Sequence, residues 1–329
     1  MAVKVAVAQG ALAVLDELVA RLQDEVDFVT GPVDTPQEVA QLTAGAAALV
    51  VSLHRLDEAQ IGALADTVQV IGRAGVGLDS IDLEAADRHG VAVVYQPTYA
   101  TAEVATHAVS MLLSLHRRLP QADAAVRSGW GSAADIGRVW SLSDASVGVL
   151  GCGRIGRAVV DRLLPFVREV RVFDPMVSDG VPGARLVAGL DELLDDVDAL
   201  SLHLPLNHET RHLIGREQML AMRSGSVLVN VSRGGLIDEQ ALAVMLSEGH
   251  IAGAGLDVFE AEPLPDSSPL RSAPNLLLSP HVAWYSDTAS SRLCEWTVAD
   301  VVCYASGQSV AHGRLAVAPA VHRAAATGS

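Results

Sequence analysis

Apolar and polar positions along this chain repeat with two periods. Lys4-Val-Ala-Val-Ala8 alternates as a strand, Leu12, Leu15, Leu18, Val19 and Leu22 fall on one helix stripe, and Ala46 to Val51 forms a short apolar strand. Val68 to Ile71 and Val91 to Val94 read as further buried strands, with helical spacing over 58–65 and 80–88 between them. Alternating strand and helix predicts a parallel α/β sheet. Gln96-Pro-Thr98 breaks the pattern and a helix from Thr101 to His116 leads away, so a first domain segment is placed at 1–97. A second α/β pattern follows: strands at Val147–Leu150, Glu169–Phe173, Val227–Val229, around Gly253 and at Leu276, and a helix over Arg157–Val167 with Ala158, Val159, Leu163 and Phe166 inward. It occupies 98–286. A helix from Ser286 to Ser306, with Leu293, Trp296, Val301 and Tyr304 on its apolar side, returns the chain to the first domain over 287–329, and 307–329 reads as a small-residue tail. The predicted class is therefore α/β, with two doubly wound parallel-sheet domains.

Composition agrees. The 329 residues are 50% hydrophobic, 4% aromatic and 19% charged, which suits an aliphatic core in an ordinary globular chain. No apolar run is long enough to span a bilayer, and Lys4 followed by Asp16 and Glu17 is no signal peptide. The expectation is a cytoplasmic protein that engages no membrane. A net charge of −16 argues against a nucleic-acid surface. The three cysteines, Cys152, Cys294 and Cys303, have no metal-ligand or CxxC spacing and read as unpaired thiols. Asp191-Glu-Leu-Leu-Asp-Asp-Val-Asp198 is the densest acidic run and reads as a solvated helix end, so no metal site is expected.

Candidate chemistry begins after the strand Val147–Leu150, which runs into Gly151-x-Gly153-x-x-Gly156 and a helix. Gly151 permits a tight turn, Gly153 lets backbone approach a pyrophosphate, and Gly156 allows close helix–strand packing with the helix N-terminus facing the anion. The following strand ends at Asp174, whose carboxylate suits the two ribose hydroxyls of NAD and repels the extra phosphate of NADP. Strand, glycines, helix, strand and acid in this order are far more specific than the glycines alone.

Farther on, Ser232 and Arg233 follow a buried strand, at the end of an open α/β sheet where ligands bind. A guanidinium there can clamp a carboxylate through two parallel hydrogen bonds, although an arginine in a glycine-rich turn is also an ordinary surface residue. His281 likewise follows a strand and titrates in the range useful for proton donation. A neighbouring carboxylate would raise its pKa; Glu262 is the natural partner, and by spacing Glu260 or Asp257 serves as well.

Taken together, the glycine turn with Asp174, His203-Leu-Pro-Leu206 with Thr210, Asn230-Val-Ser-Arg-Gly-Gly, Gly255-Leu-Asp-Val-Phe-Glu-Ala-Glu-Pro and Ser279-Pro-His281 resemble the D-2-hydroxyacid dehydrogenase family over roughly 45–305. The resemblance implies a flavodoxin-like substrate domain, a Rossmann NAD domain and an active-site cleft between them. It implies that Arg233 binds the substrate carboxylate, that His281 is the acid/base and that Glu262 is its partner. It further implies NAD contacts from Arg154 and Ile155 along the pyrophosphate, His203 and Pro205 at the adenine, Thr210 and Ser232, and Asp257 at the carboxamide. A buried strand-end histidine and a helix cap are the plain alternatives for His203 and Asp257.

Within the family, the chain looks most like the C-terminal-binding-protein and phosphoglycerate-dehydrogenase branch. Arg73-Ala-Gly75-Val76-Gly77 resembles a substrate loop whose backbone amides form a carboxylate nest, with Arg73 reaching substrate. His281-Val-Ala-Trp284-Tyr-Ser resembles the segment in which a tryptophan walls the substrate pocket, a domain-interface packing role being the alternative. Where phosphoglycerate dehydrogenases carry phosphate-gripping arginines, this chain has Val51, Ser52 and Leu53, with only His54 and Arg55 nearby, so a phosphorylated substrate is disfavoured. The chain ends 48 residues after His281, and no appended serine-regulated domain is expected. Residues 119–146, with Trp130 and Trp140, stand where the family has its dimerisation arm, so a homodimer is the expectation. The leading reading is reduction of a 2-keto acid by NADH. The alternatives are an NAD(H)-sensing dimeric scaffold of the C-terminal-binding-protein type and a dehydrogenase of a phosphonate or phosphorylated hydroxyacid.

Overall fold

A computed structural model describes residues 2–319, which divide into two units, 2–100 with 286–319 and Thr101–Tyr285. The crossings thus fall at 100/101 and 285/286, a few residues from the breaks expected at Gln96-Pro-Thr98 and Ser286. The expected tail lies outside the described residues from 320 onward.

The first unit contains β1 (Val3–Ala8), α1 (Leu15–Leu22), β2 (Val26–Gly31), α2 (Pro36–Leu42), β3 (Ala48–Val51), α3 (Glu58–Gly62), β4 (Val70–Arg73), α4 (Leu83–Arg88) and β5 (Ala92–Tyr95). Its sheet runs β13-β5-β4-β3-β1-β2, where β13 (Arg314–Val317) is antiparallel to β5 and the remaining pairs are parallel. Strand β2 has an exposed, interrupted apolar pattern because it lies at the sheet edge, and sequence reading passes over it. Helix α2 buries only Val39, yet its start is well specified: Pro36 follows Thr35, which forms a reciprocal capping box with Glu38. The long helix α12 (Asp287–Ala305) packs on β3, β4 and β5 and begins at Ser286, whose hydroxyl accepts from the Ala289 amide at 3.0 Å. Leu293, Val301 and Tyr304 of α12 are buried, whereas Trp296, expected beside them, stacks on His312 with ring centroids 4.9 Å apart.

The tail is not featureless. A fully buried carboxylate, Asp300, accepts from the amides of Ala311 (2.7 Å), His312 (3.0 Å) and Gly313 (2.6 Å) and from the Gln96 side chain (2.8 Å). This anchor turns the chain after α12 back onto β5 as β13. A small-residue run carries no such signal, because the constraint comes from a side chain many residues upstream.

The second unit contains α5 (Thr101–His116), α6 (Leu119–Arg127), α7 (Ala133–Ile136), β6 (Ser146–Leu150), α8 (Arg154–Leu163), β7 (Glu169–Phe173), β8 (Arg185–Leu186), α9 (Leu190–Leu194), β9 (Ala199–Leu202), α10 (Arg216–Ala221), β10 (Ser226–Asn230), α11 (Glu239–Ser247), β11 (Ile251–Leu256) and β12 (Leu276–Leu278). Its sheet is parallel throughout, in the order β12-β11-β10-β9-β6-β7-β8. Strand side chains alternate between two buried layers. Val147, Val149, Val227 and Val229 join Leu112 of α5 and Val159 of α8, and Leu200, Leu228 and Leu150 join Leu193, Met219 and Leu242 on the other face. Helix α8 starts inside the glycine loop and ends at Leu163, so Phe166 lies beyond it and is exposed. Nor is the acidic run wholly solvated: Asp198 is buried, accepts from the Ser146 amide at 2.8 Å and pairs with Arg223 at 2.5 Å. Among the described residues, no helix is long and apolar enough to cross a membrane.

Replacing Asp300 by alanine removes the acceptor of buried Gln96 and of three successive amides, so Asp300→Ala should destabilise the protein by about 3 kcal/mol and expose the amides of 311–317 to rapid hydrogen exchange. Unchanged exchange there would show that β13 is held by other means.

Candidate active site

The order of the second sheet reverses at β6, whose neighbours are β7 and β9. Ligands bind beyond the carboxyl ends of strands at such a switch point, and the glycine loop sits there. Gly151 has φ +89°, and a Cβ on it would lie 2.6 Å from the His203 carbonyl oxygen. A Cβ on Gly156 would lie 2.1 Å from the Gly151 carbonyl oxygen, so α8 can close on β6 only through a bare backbone. Gly153 differs: a Cβ there meets nothing within 4 Å. It stands at the N-cap of α8 with no capping side chain, ahead of Arg154 and Ile155. A backbone cradle at an open helix N-terminus fits a pyrophosphate.

Asp174 follows β7, and its carboxylate accepts from the Cys152 amide at 2.7 Å and the Met176 amide at 2.9 Å. It thereby steadies the glycine loop, and it remains part-exposed beside it. His203 follows β9; its Nε2 meets the Ser201 hydroxyl at 2.8 Å, and among the described residues its buried Nδ1 has no hydrogen-bond partner. Burial pushes its pKa down to about 3, so the ring is neutral at physiological pH and offers an unsatisfied polar atom beside the loop. These features suit a dinucleotide. Thr210 and Ser232 also bond to the backbone. The Thr210 hydroxyl donates to the Pro205 carbonyl at 2.7 Å and accepts from the Asn207 amide at 2.8 Å, closing a turn. The Ser232 hydroxyl donates to the Leu202 carbonyl at 2.7 Å, tying the end of β10 to that of β9.

The second cluster lies after β10, β11 and β12. His281 Nδ1 is 2.7 Å from Glu262 Oε2, and Glu262 Oε1 accepts from the Phe259 amide at 3.0 Å. Burial alone would raise the Glu262 pKa, yet the hydrogen bonds from His281 and Phe259 and the positive charges of His281 and Arg233 hold it below the usual carboxylate value. An ionised carboxylate only accepts, so Nδ1 of His281 carries a proton and Nε2 is the nitrogen left for chemistry. The structure also separates the three acids that spacing leaves open. Glu260 bonds His212 at 2.7 Å, and Asp257 turns inward, so Glu262 alone of the three pairs with His281.

Asp257 is 1% exposed. It accepts from the amides of Val282 (2.9 Å) and Ala283 (2.8 Å) and from the Ser279 hydroxyl, while its backbone carbonyl accepts from the His281 amide at 2.8 Å. Its carboxylate thus holds the turn that carries His281. That turn needs holding, because His281 has φ +56°, a left-handed conformation that costs a non-glycine residue roughly 1–2 kcal/mol. Trp284, expected at the substrate, also ties back, its Nε1 donating to the His281 carbonyl at 3.0 Å.

Arg233 projects from a loop built by Asn230, a residue without an assigned role in the sequence reading. Fully buried Asn230 donates from Nδ2 to the Arg233 carbonyl at 2.8 Å and accepts from the Ser232 amide at 3.0 Å. A Cβ on Gly234 would lie within 1.9 to 2.3 Å of the Phe259 and Glu260 backbone. The Arg233 loop and the Glu262 loop therefore meet backbone to backbone. Asn230 and Gly234 are visible in the sequence only as a polar residue ending an apolar strand and a glycine pair, signals too common to assign.

In the first unit, the loop after β4 is wound around Arg73. This side chain is 5% exposed, with Nε donating to the Gly77 carbonyl at 2.8 Å and Nη1 donating to the Ala74 carbonyl. Gly75 has φ +143° because a Cβ there would strike the guanidinium, while Val76 is exposed. Arg73 thus holds its own loop through two backbone carbonyls. His54 spans the ends of β3 and β1: Nδ1 accepts from the Ser52 amide (3.4 Å), and Nε2 donates to the Gln9 carbonyl (3.1 Å).

Residues 109–283 match the model of the D-isomer specific 2-hydroxyacid dehydrogenase, NAD binding domain. The chain is 38% identical over 83% of its length to D-3-phosphoglycerate dehydrogenase of Methanocaldococcus jannaschii, of which the match covers 51%. It therefore spans about half the length of such relatives. It is 35% identical over 79% of its length to glyoxylate reductase of Korarchaeum cryptofilum, covering 80% of that protein. Its fold superposes on D-lactate dehydrogenase with NAD+ from Lactobacillus jensenii with a TM-score of 0.79 and 26% identity, over 94% of this chain and 99% of that one. The family match over more than half of the chain and the identity to these relatives show that this chain belongs to the D-isomer specific 2-hydroxyacid dehydrogenases.

Proposed function

We propose that this protein is an NAD-dependent oxidoreductase that reduces a 2-keto acid to the 2-hydroxy acid, and catalyses the reverse. The observation that carries this reading is the 2.7 Å His281–Glu262 pair within the field of Arg233, in the unit that bears the dinucleotide loop. The loop Gly151–Gly156, the start of α8, Asp174 and His203 would hold the cofactor, and bound NADH supplies hydride to the keto carbon. Arg233 binds the substrate carboxylate, its planar fork fixing the adjoining carbonyl. Protonated His281 gives its Nε2 proton to the carbonyl oxygen as that oxygen gains charge. Glu262 retains the Nδ1 proton and stabilises the imidazolium. In the reverse direction, neutral His281 accepts the hydroxyl proton at Nε2. Asp174, an anion beside the glycine loop, favours NAD over a cofactor with an added phosphate.

The substrate we propose carries an uncharged side chain. In the first unit, Arg73 and His54 donate to backbone carbonyls, which leaves exposed Arg55 as the cation of the β3 loop. A dianionic phosphate calls for more than one exposed guanidinium. The glyoxylate reductase among the relatives accords with such a substrate. We also propose a homodimer formed through the arm after α5, which exposes Leu119 (55%), Val126 (56%) and Trp130 (82%), an apolar surface of the kind that marks an interface.

NADH oxidation across glyoxylate, pyruvate, hydroxypyruvate, phenylpyruvate, 3-phosphohydroxypyruvate and phosphonopyruvate tests the reading; turnover should favour an unphosphorylated acid, and preference for 3-phosphohydroxypyruvate would overturn the substrate assignment. His281→Ala should lower kcat by about 10²–10⁴-fold with NADH affinity retained, and undiminished turnover would remove His281 from the mechanism. Because the Glu262 pKa is depressed, its pairing with His281 is present above the unperturbed carboxylate value of about 4.3 and is lost as pH falls through the lower folded value. The wild-type profile of kcat/KM should accordingly keep its acid limb below that value, and Glu262→Gln should lower turnover across the whole range; superimposable profiles would exclude the pair. Light scattering should give twice the monomer mass, falling on Trp130→Glu, and a monomeric wild type would contradict the arm assignment.

A further inference from the structure

The turn that carries His281 is held by Asp257, and the hydrogen bonds continue outward from it. The Ser279 hydroxyl donates to Asp257 Oδ1, and His107 Nε2 lies 3.0 Å from the same hydroxyl oxygen. The direction of each bond follows from the chemistry. An ionised carboxylate only accepts, so the single hydroxyl proton of Ser279 points to Asp257, and the proton on the second bond belongs to His107 Nε2. The chain therefore reads His107 N–H to Ser279 O–H to Asp257, and from Asp257 to the backbone of His281, Val282 and Ala283. Nε2 of His107 lies 3.9 Å from Asp257 Oδ1, close enough to act on the carboxylate directly as well.

His107 stands on α5, a helix held in the core by Ala105, Ala108, Val109, Met111 and Leu112. It makes no hydrogen bond to His281 or Glu262 among the described residues. Its role is to connect the turn to a rigid element. The turn needs that connection because His281 is in a left-handed conformation, which a residue with a side chain keeps only where several contacts enforce it. Ser279 is in turn fixed by its own amide, which donates to the Leu256 carbonyl at 3.0 Å.

We propose that His107 is a positioning residue for the reaction: acting through Ser279 and Asp257, it sets the backbone geometry from which His281 aims its Nε2 at the substrate. The inference rests on the proton-transfer role proposed above for His281. It assigns His107 no contact with substrate or cofactor.

The test compares His107→Phe, which keeps ring volume and removes the donor, with His107→Gln, whose amide nitrogen can occupy the place of Nε2 and donate to Ser279. Misaiming by an ångström costs about a hundredfold in rate; His107→Phe should lower kcat by that order while KM for the keto acid and the affinity for NADH stay near wild type, and His107→Gln should restore most of the loss. Ser279→Ala should reproduce the His107→Phe loss of kcat, together with a fall in Tm because a buried carboxylate loses a donor. A second readout is independent of turnover: histidine-selective 15N and 13C NMR at fixed pH should show the His281 ring signals displaced in His107→Phe and Ser279→Ala and returned in His107→Gln. Absence of turnover in wild type on every keto acid would dispose of the proposed function alone, because the NMR comparison still decides the positioning role. Unmoved His281 signals in all three variants would overturn the proposal, as would equal losses of kcat in His107→Phe and His107→Gln that track the fall in Tm.

Discussion

One buried carboxylate organises the catalytic end of the second unit. Asp257 has nearly no exposure and takes donors from three successive residues of the turn at His281, as well as from Ser279. A carboxylate removed from water must be repaid by hydrogen bonds, and here the Ser279 hydroxyl and the Val282 and Ala283 amides supply them, with His107 close by. The turn in turn holds His281 in a conformation that it would otherwise leave. Burial of the acid and exposure of the histidine are thus two sides of a single arrangement. The strain is stored in the backbone, and the donors around Asp257 keep it there.

Close backbone approach is the second constraint. Gly151 and Gly156 let β6, α8 and the end of β9 converge, and Gly234 lets the Arg233 loop lie directly on the Phe259–Glu260 backbone. At each position a methyl group would overlap main-chain atoms, which cannot swing aside as a side chain can. This is how an arginine after β10 and a glutamate after β11 come to share one electrostatic field. Arg233 helps keep Glu262 ionised, and Glu262 holds the proton on Nδ1 of His281. His281 and Arg233 thus act together on one carboxyl, that of Glu262.

In the first unit, charged and polar side chains are turned to construction. Arg73 winds its loop around itself, His54 joins the ends of β1 and β3, and Asp300 draws the chain after α12 into a sixth strand. All three satisfy backbone groups. At the β3 loop this leaves Arg55 as an exposed cation.

By itself the sequence determined the alternation of buried strands and helices, the α/β class, the glycine loop with Asp174, and the placing of Arg233 and His281 at strand ends. These are local properties: period, apolar run length and turn chemistry act over a few residues. Tertiary structure decided the rest. It chose Glu262 over Glu260 and Asp257, because only folding shows which carboxylate faces His281 and which faces an amide. It gave Asp257, Thr210, Ser232 and Arg73 backbone partners that no local pattern announces, since the partners of a polar group can lie in loops far away in sequence. It also revealed β2, too exposed at its edge to look apolar, and β13, which exists because Asp300 needs donors. The reason is common to all of them. Residue type limits what a side chain can bond, but the distances that select a partner arise only when separate strand ends are brought together on one edge of a sheet.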